Sequence, residues 1–210
     1  MVTSENITTD LSIKDVEILD NTECYKGFMK VARIVLRHRL YEGGWSARIH
    51  REVMRRTPGV GVLLYDPDLD KVLMVEQFRV GCLEDSTSPW KLELVAGLMD
   101  TDEPAEQVAI REAREEADTD IVDLIPVCEY YNSPGSSNEK LQIFCARFDS
   151  QQTQSGVFGL DKEHEDIRTV IVPRDQAELA VRNGTINNAM SIIALQWLSL
   201  NLDRVKAQLQ

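Results

Sequence analysis

From Gly97 to Thr119 the chain reads G-L-M-D-T-D-E-P-A-E-Q-V-A-I-R-E-A-R-E-E-A-D-T, and this stretch restricts the fold more than any other. Pro104 suits the first turn of a helix, where its missing N–H does no harm. The spacing predicts a helix from about Pro104 to Ala117. At about 100° per residue, Glu112, Glu115 and Glu116 share one sector about 100° wide. Ile110, Ala113 and Ala117 point away from it and pack inward. Such a helix needs an apolar surface on one side and relief from charge on the other. Like charges at i, i+3 and i+4 destabilise an isolated helix, and crowded carboxylates raise one another's pKa values. Hard divalent cations with oxygen ligands provide the compensation, and Mg²⁺ or Mn²⁺ is the natural choice. The alternative is a solvated acidic face screened by Arg111 and Arg114.

The flanking sequence predicts the surface on which this helix lies. Pro58 to Tyr65 and Val72 to Val80 form a hairpin around Asp66-Pro-Asp-Leu-Asp70. Leu92 to Ala96 is one further strand, and Ile121 to Tyr131 and Leu141 to Phe148 are two more. Arg174 to Arg182 reads as a helix stopped near Gly184. A second helix begins near Asn187 and carries Met190, Ile193, Ala194, Trp197 and Leu198. Upstream, Val16 to about Val53 is strand-like. Val31 to Leu40 is β-rich, Ala47, Ile49, Arg51 and Val53 alternate with Arg48, His50 and Glu52, and Glu42-Gly-Gly44 supplies a turn. The expected class is α+β: an α/β/α sandwich with a mixed sheet, plus an N-terminal antiparallel sheet. The expected division is residues 1–56 and 57–210.

Composition excludes several function classes. Of the 210 residues, 43% are hydrophobic, enough for a full core, and the formal net charge is −12. So acidic a chain is a poor phosphate-backbone binder, and no nucleic-acid partner is expected. Cys24, Cys82, Cys128 and Cys145 form no C-x-x-C pair, which argues against structural zinc and a disulfide scaffold. The N-terminus has no basic region followed by an apolar run, and no stretch approaches the ~20 apolar residues of a membrane span. A cytoplasmic location is expected. P-loop and dinucleotide-binding glycine patterns are absent.

The stretch around the carboxylates resembles the Nudix box, G-x5-E-x7-R-E-U-x-E-E-x-G-U with U aliphatic. Gly97, Glu103, Arg111, Glu112, Glu115 and Glu116 match it at every charged position. Asp118 replaces the last glycine and Thr119 the final aliphatic residue. Asp tolerates left-handed geometry better than most residues, so a locally altered helix end is expected rather than lost chemistry. The resemblance implies that Glu112 and Glu116 are the principal metal ligands, that Glu115 assists, and that the Ala96 carbonyl is another. It also implies that Arg111 pairs with Glu103.

Outside the box, the chain resembles the bacterial ADP-ribose pyrophosphatase branch of that family along nearly its whole length. Ser133-Pro-Gly135, followed by Glu139, matches a proline after the box. Val75-Glu-Gln-Phe-Arg79 and the lead into Gly97-Leu98 match the substrate side. In that branch the N-terminal sheet is exchanged across a homodimer, and here Phe28, Met29, Arg51 and Glu52 occupy the matching places. Phe28 would stack on adenine. The charged loop Gly159 to Asp166 would carry the base, best matched by Glu163, and a further metal ligand, Glu165. His164 is the alternative base. The implied reaction is hydrolysis of ADP-ribose to AMP and ribose 5-phosphate by a homodimer with Mg²⁺. Hydrolysis of another nucleotide sugar, such as GDP-mannose or ADP-glucose, is the near alternative. A Nudix-fold sensor that binds without cutting is the distant one, disfavoured by the intact glutamates.

Overall fold

The computed structural model describes residues 10–100 and 102–209. Most of the polar N-terminal stretch, through residue 9, lies outside the described residues. Contacts divide the chain into two units. One holds the described residues up to Arg56 together with Ser133–Glu139, and the other holds Thr57–Asn132 and the described residues from Lys140 onward.

The first unit is an antiparallel sheet of β1 (Val16–Lys26), β2 (Lys30–His38) and β3 (Ile49–Arg55), in that order. The turn expected at Glu42-Gly-Gly44 lies between β2 and β3, with Gly43 at φ +90° and Gly44 at φ +79°. Ser133–Glu139 is tied to β3: Met54 N–H donates to Ser136 O at 2.8 Å, and Asn138 N–H donates to Met54 O at 3.2 Å. Among this unit's described residues only Ala32 is buried. Phe28, Tyr25, Ile18 and Tyr41 are all exposed.

The second unit is a three-layer sandwich. Its sheet runs β10 (Val157–Phe158), β11 (Ile167–Pro173), β5 (Lys71–Phe78), β4 (Gly59–Asp66), β9 (Lys140–Arg147), β8 (Ile125–Tyr131). β4 and β9 are parallel, and the other pairs are antiparallel. Every residue of β4 is buried, as expected of a strand covered on both faces. Alternation sorts the side chains. Val60, Val62, Leu64, Leu73 and Val75 pack with Val108, Ala109, Ala113 and Ala117 of α1 (Ala105–Ala117). Leu63, Tyr65, Val72 and Met74 pack on the other side with α2 (Arg174–Arg182), α3 (Ala189–Leu200) and α4 (Leu202–Leu209). Full burial of a valine such as Val108 contributes on the order of 1.5–3 kcal/mol. Like-charge repulsion on the acidic side costs only a few tenths of a kcal/mol per pair, roughly 0.2–0.5. Packing therefore wins, and α1 is helical despite its glutamates.

One expected strand divides into two. β6 (Trp90–Glu93) pairs with β5, while β7 (Val95–Leu98) pairs with β4. β4 and β5 contact each other only through Leu64–Asp66 and Lys71–Leu73. Beyond that point they diverge, and residues 90–98 fill the fork, crossing from one arm to the other at Leu94.

Candidate active site

The fork delivers its central segment to α1. Ala96 of β7 donates its N–H to Glu116 Oε2 at 3.1 Å. Gly97 lies directly beneath Glu112, so that a Cβ there would stand 1.9 Å from Oε1 of that glutamate. Only glycine admits this approach. Leu98 ends β7, opposite Gly59.

Burial separates the three helix glutamates. Glu116 is 2% exposed, whereas Glu112 and Glu115 are partly open. Burial pushes the Glu116 carboxyl up to about 8. The Ala96 N–H and Arg79 oppose this, and the neighbouring Glu112 and Glu165 reinforce it. Burial also raises Glu112; Arg111 opposes the rise, while Glu115 and Glu165 add to it. Arg111 is the local organiser. Its Nη1 lies 2.8 Å from Glu112 and 2.9 Å from Glu115, and its Nε lies 3.4 Å from Glu103. The expected Arg111–Glu103 pair is therefore present, within a wider set.

The charged loop meets the same helix. Gly159, at φ +110°, donates its N–H to Glu115 O at 3.3 Å. Glu165 is half-buried, accepts from Leu160 N–H at 3.1 Å, and acts electrostatically on Glu112 and Glu116. Glu163 is exposed beside Lys162, with 3.4 Å between the charged atoms, and His164 is also exposed. On the opposite flank Arg79 donates to Glu93 Oε2 at 2.6 Å. A cavity of about 160 Å³ opens there, lined by Arg79, Glu93, Ala96, Asn188 and Met190 among others.

The helix ends as the substituted box allows. Asp118 takes the left-handed conformation, φ +47° and ψ +43°. Thr119 is buried, and its hydroxyl donates to Ala117 O at 2.9 Å.

The remaining candidates belong to the first unit. Phe28 and Met29 are exposed in the β1–β2 turn, with Phe28 at 88%. Arg51 donates to His50 O at 2.8 Å, and Glu52 stands opposite Arg33. Ser133 and Gly135 lie in an exposed turn closed by Ser137 N–H to Ser133 O at 2.8 Å. Glu139 accepts from Arg56 Nε at 3.0 Å.

The donor set suits a hard divalent cation. Glu116 is a buried carboxylate facing two others, and its ionised form needs a counter-charge that the chain does not supply in full. With Glu112 and Glu115 turned to Arg111, no three acidic, histidine or cysteine side chains among the described residues already converge on one ion-sized point. The residues missed by the sequence reading are those behind the site. Asn188 and Ser191 fix the fork, and the expected loop hangs on α1 by a Gly159 N–H bond that sequence does not reveal. An asparagine before an apolar helix is a recognisable cap, but nothing local reveals what else it holds.

Residues 55–191 match the NUDIX domain model. The chain is 39% identical over 206 residues to the ADP-ribose pyrophosphatase of Escherichia coli (strain K12), covering 98% of each. It is 40% identical to that of Haemophilus influenzae, over 95% of this chain and 91% of the relative. It is 31% identical to a GDP-mannose pyrophosphatase of Shigella flexneri, over 95% and 88% respectively. A solved structure described as an ADP compounds hydrolase superposes with a TM-score of 0.73 at 21% identity, covering 93% of this chain and 98% of that one. That likeness supports the fold, and the sequence matches with the box glutamates on the sandwich's acidic helix carry the rest: the chain belongs to the NUDIX family.

Proposed function

We infer that the protein hydrolyses the pyrophosphate bond of ADP-ribose to AMP and ribose 5-phosphate, using Mg²⁺, for which Mn²⁺ would substitute. The observation that carries the reading is the buried Glu116 carboxylate, held by Ala96 N–H and faced by Glu112 and Glu165. The identity to ADP-ribose pyrophosphatases, 39–40%, exceeds the 31% to a GDP-mannose pyrophosphatase and favours the ADP-ribose substrate. Glu112, Glu116, Glu115, Glu165 and the Ala96 carbonyl would hold the metal. When bound, it supplies positive charge and Lewis acidity to the phosphate oxygens. Arg79 would meet a phosphate or the terminal ribose, and Leu98 would line the same side.

Glu163 would accept the proton of the attacking water. The water oxygen bonds to one phosphorus, the bridging P–O bond breaks, and the other phosphate leaves with the bond pair. Glu163 is exposed on a loop that Gly159 hangs on α1, free of a core role. Replacing it by Gln should lower kcat by about 10²–10⁴-fold with no recovery at high Mg²⁺. Glu165→Gln should instead be partly recovered by added metal. The reverse pattern exchanges the two roles.

The first unit would dimerise, by exchange between two copies, and would bring Phe28, Met29, Arg51, Glu52, Ser133, Gly135 and Glu139 to bound nucleotide. Its small sheet buries only Ala32 among its described residues, and so few strands without a core are not stable alone. A cytoplasmic site of action fits four free cysteines, and among the described residues no helix is long and apolar enough to cross a membrane. The test is a panel of nucleoside diphosphate sugars with Mg²⁺, scored by product. Preference for ADP-ribose with AMP released supports the reading. Faster release of GMP from GDP-mannose would replace it.

A further inference from the structure

The fork between β4 and β5 leaves backbone groups with no ladder to join. Where the chain crosses from β6 to β7, Leu94 N–H belongs to neither pairing, and buried peptide groups require partners. The partner of Leu94 N–H, and a partner for the carbonyl of Leu92 in β6, are side chains at the start of α3, nearly a hundred residues later. Ser191 Oγ accepts from Leu94 N–H at 3.2 Å. Asn188 Nδ2 donates to Leu92 O at 2.8 Å. Ser191 is a polar residue with 0% exposure, and Leu94 is 1% exposed. Asn188 also caps α3, its Oδ1 accepting from Ser191 N–H at 3.1 Å. One asparagine thus closes the helix with one atom and grips the fork with the other.

The gripped segment is the one that presents the site. Glu93, between the two clamped residues, holds Arg79. Ala96, two residues beyond Leu94, holds Glu116, and Gly97 follows beneath Glu112. A shift of the crossing at Leu94 would move all three. We propose that Asn188 and Ser191 are positioning residues: they act through the backbone of Leu92 and Leu94 to set where Glu93 and Ala96 stand against Arg79 and Glu116. The assignment rests on reading that site as the place of pyrophosphate hydrolysis.

Asn188→Ser separates the cap from the grip. Serine caps a helix as well as asparagine does but is too short to reach Leu92 O. Ser191→Ala removes the hydroxyl and leaves the cap. Both variants are compared with the unaltered chain by melting temperature, by amide hydrogen exchange of peptides covering 92–98 and 105–117, and by kinetics on ADP-ribose with Mg²⁺ varied. The expected result has three parts. Exchange rises severalfold in 92–98 and not in 105–117, and kcat falls by about ten- to a hundredfold, as for residues that orient metal ligands. KM for ADP-ribose stays nearly unchanged, and melting shifts little in Asn188→Ser. Unaltered exchange in 92–98 overturns the proposal, and so does a local rise with kcat intact. A rise shared equally by both peptides, with kcat lost in step with melting temperature, reduces the pair to general stability and overturns it too. Should the unaltered chain fail to hydrolyse ADP-ribose, the functional reading fails by itself. The exchange data then decide the clamp alone.

Discussion

Replacing Glu116 by glutamine keeps the volume of a side chain that is 2% exposed and keeps an oxygen for the Ala96 N–H. It removes the charge. Changes behind a metal ligand already cost about 10–100-fold, so loss of the ligand proposed above should lower kcat by at least about a hundredfold. The same change removes a carboxyl that burial pushes up to about 8. In excess chelator, Glu116→Gln should therefore melt no lower than the unaltered chain, and calorimetry in EDTA checks this. Gly97→Ala probes the same contact from the other side. Its Cβ would meet Glu112 Oε1 at 1.9 Å, Cδ at 2.1 Å and Cγ at 2.5 Å, so the whole side chain must move. Displacement by about 1 Å costs on the order of a hundredfold in rate. The loss should appear in kcat and in the Mg²⁺ concentration needed for half-activity. These two positions were legible because charge spacing and a glycine survive in a linear pattern. Burial does not: the sequence places Glu112, Glu115 and Glu116 on one wall, and only packing shows that Glu116 is the enclosed one.

Elements with strong periodicity were legible to within a few residues. α1 begins at Ala105 instead of Pro104, and α2 has the expected ends. Three features were not. The strand expected from Leu92 to Ala96 breaks at Leu94 because its neighbours diverge, and no glycine or proline marks the break. β10 and β11 were missed: β10 has only two residues, and in β11 the buried Thr169, whose hydroxyl accepts from Gly156 N–H at 2.9 Å, obscures the apolar alternation. α4 follows α3 after Asn201 with too short a pause to be seen as a separate helix. The β4–β5 turn carries a further prediction. Asp66 is 3% exposed and accepts from Asp68 N–H at 2.9 Å, Leu69 N–H at 3.0 Å and Ser150 N–H at 3.1 Å. Burial alone would raise its pKa, but the hydrogen bonds from Ser150, Leu69 and Asp68 outweigh it, and the pKa is lowered. A carboxyl depressed in the folded state stabilises the fold above its unfolded pKa of about 4 and loses that contribution as pH falls through the folded value. Asp66→Asn should cost about 1–3 kcal/mol at neutral pH and flatten the acid limb. Urea melts between pH 7 and pH 3 measure both.

At the scale of the molecule, the first unit is the part with the least core of its own: only Ala32 is buried among its described residues. Its strands were expected and are present, yet Phe28 and Tyr41 remain 88% and 92% exposed. In the dimer proposed above, a second copy would cover them. Sedimentation at micromolar concentration should give a dimer, and Phe28→Ser with Tyr41→Ser should weaken it. A monomer that keeps full activity at nanomolar concentration would refute the exchange proposed above for the first unit. The sequence could not decide this, because strand alternation reports that one face is buried without saying whose chain covers it.

The fork also orders events in time. A ribosome that has just completed Thr119 has delivered every glutamate of α1. At that stage β4 lacks its parallel neighbour β9, and Leu94 N–H lacks the Ser191 hydroxyl. The acidic helix is therefore synthesised long before the residues that hold the fork in place. Chains stalled near residue 150 should be inert toward nucleotides, and activity should begin only after residue 191 has left the exit tunnel, so that a half-made chain does not hydrolyse nucleotides while it is still being translated.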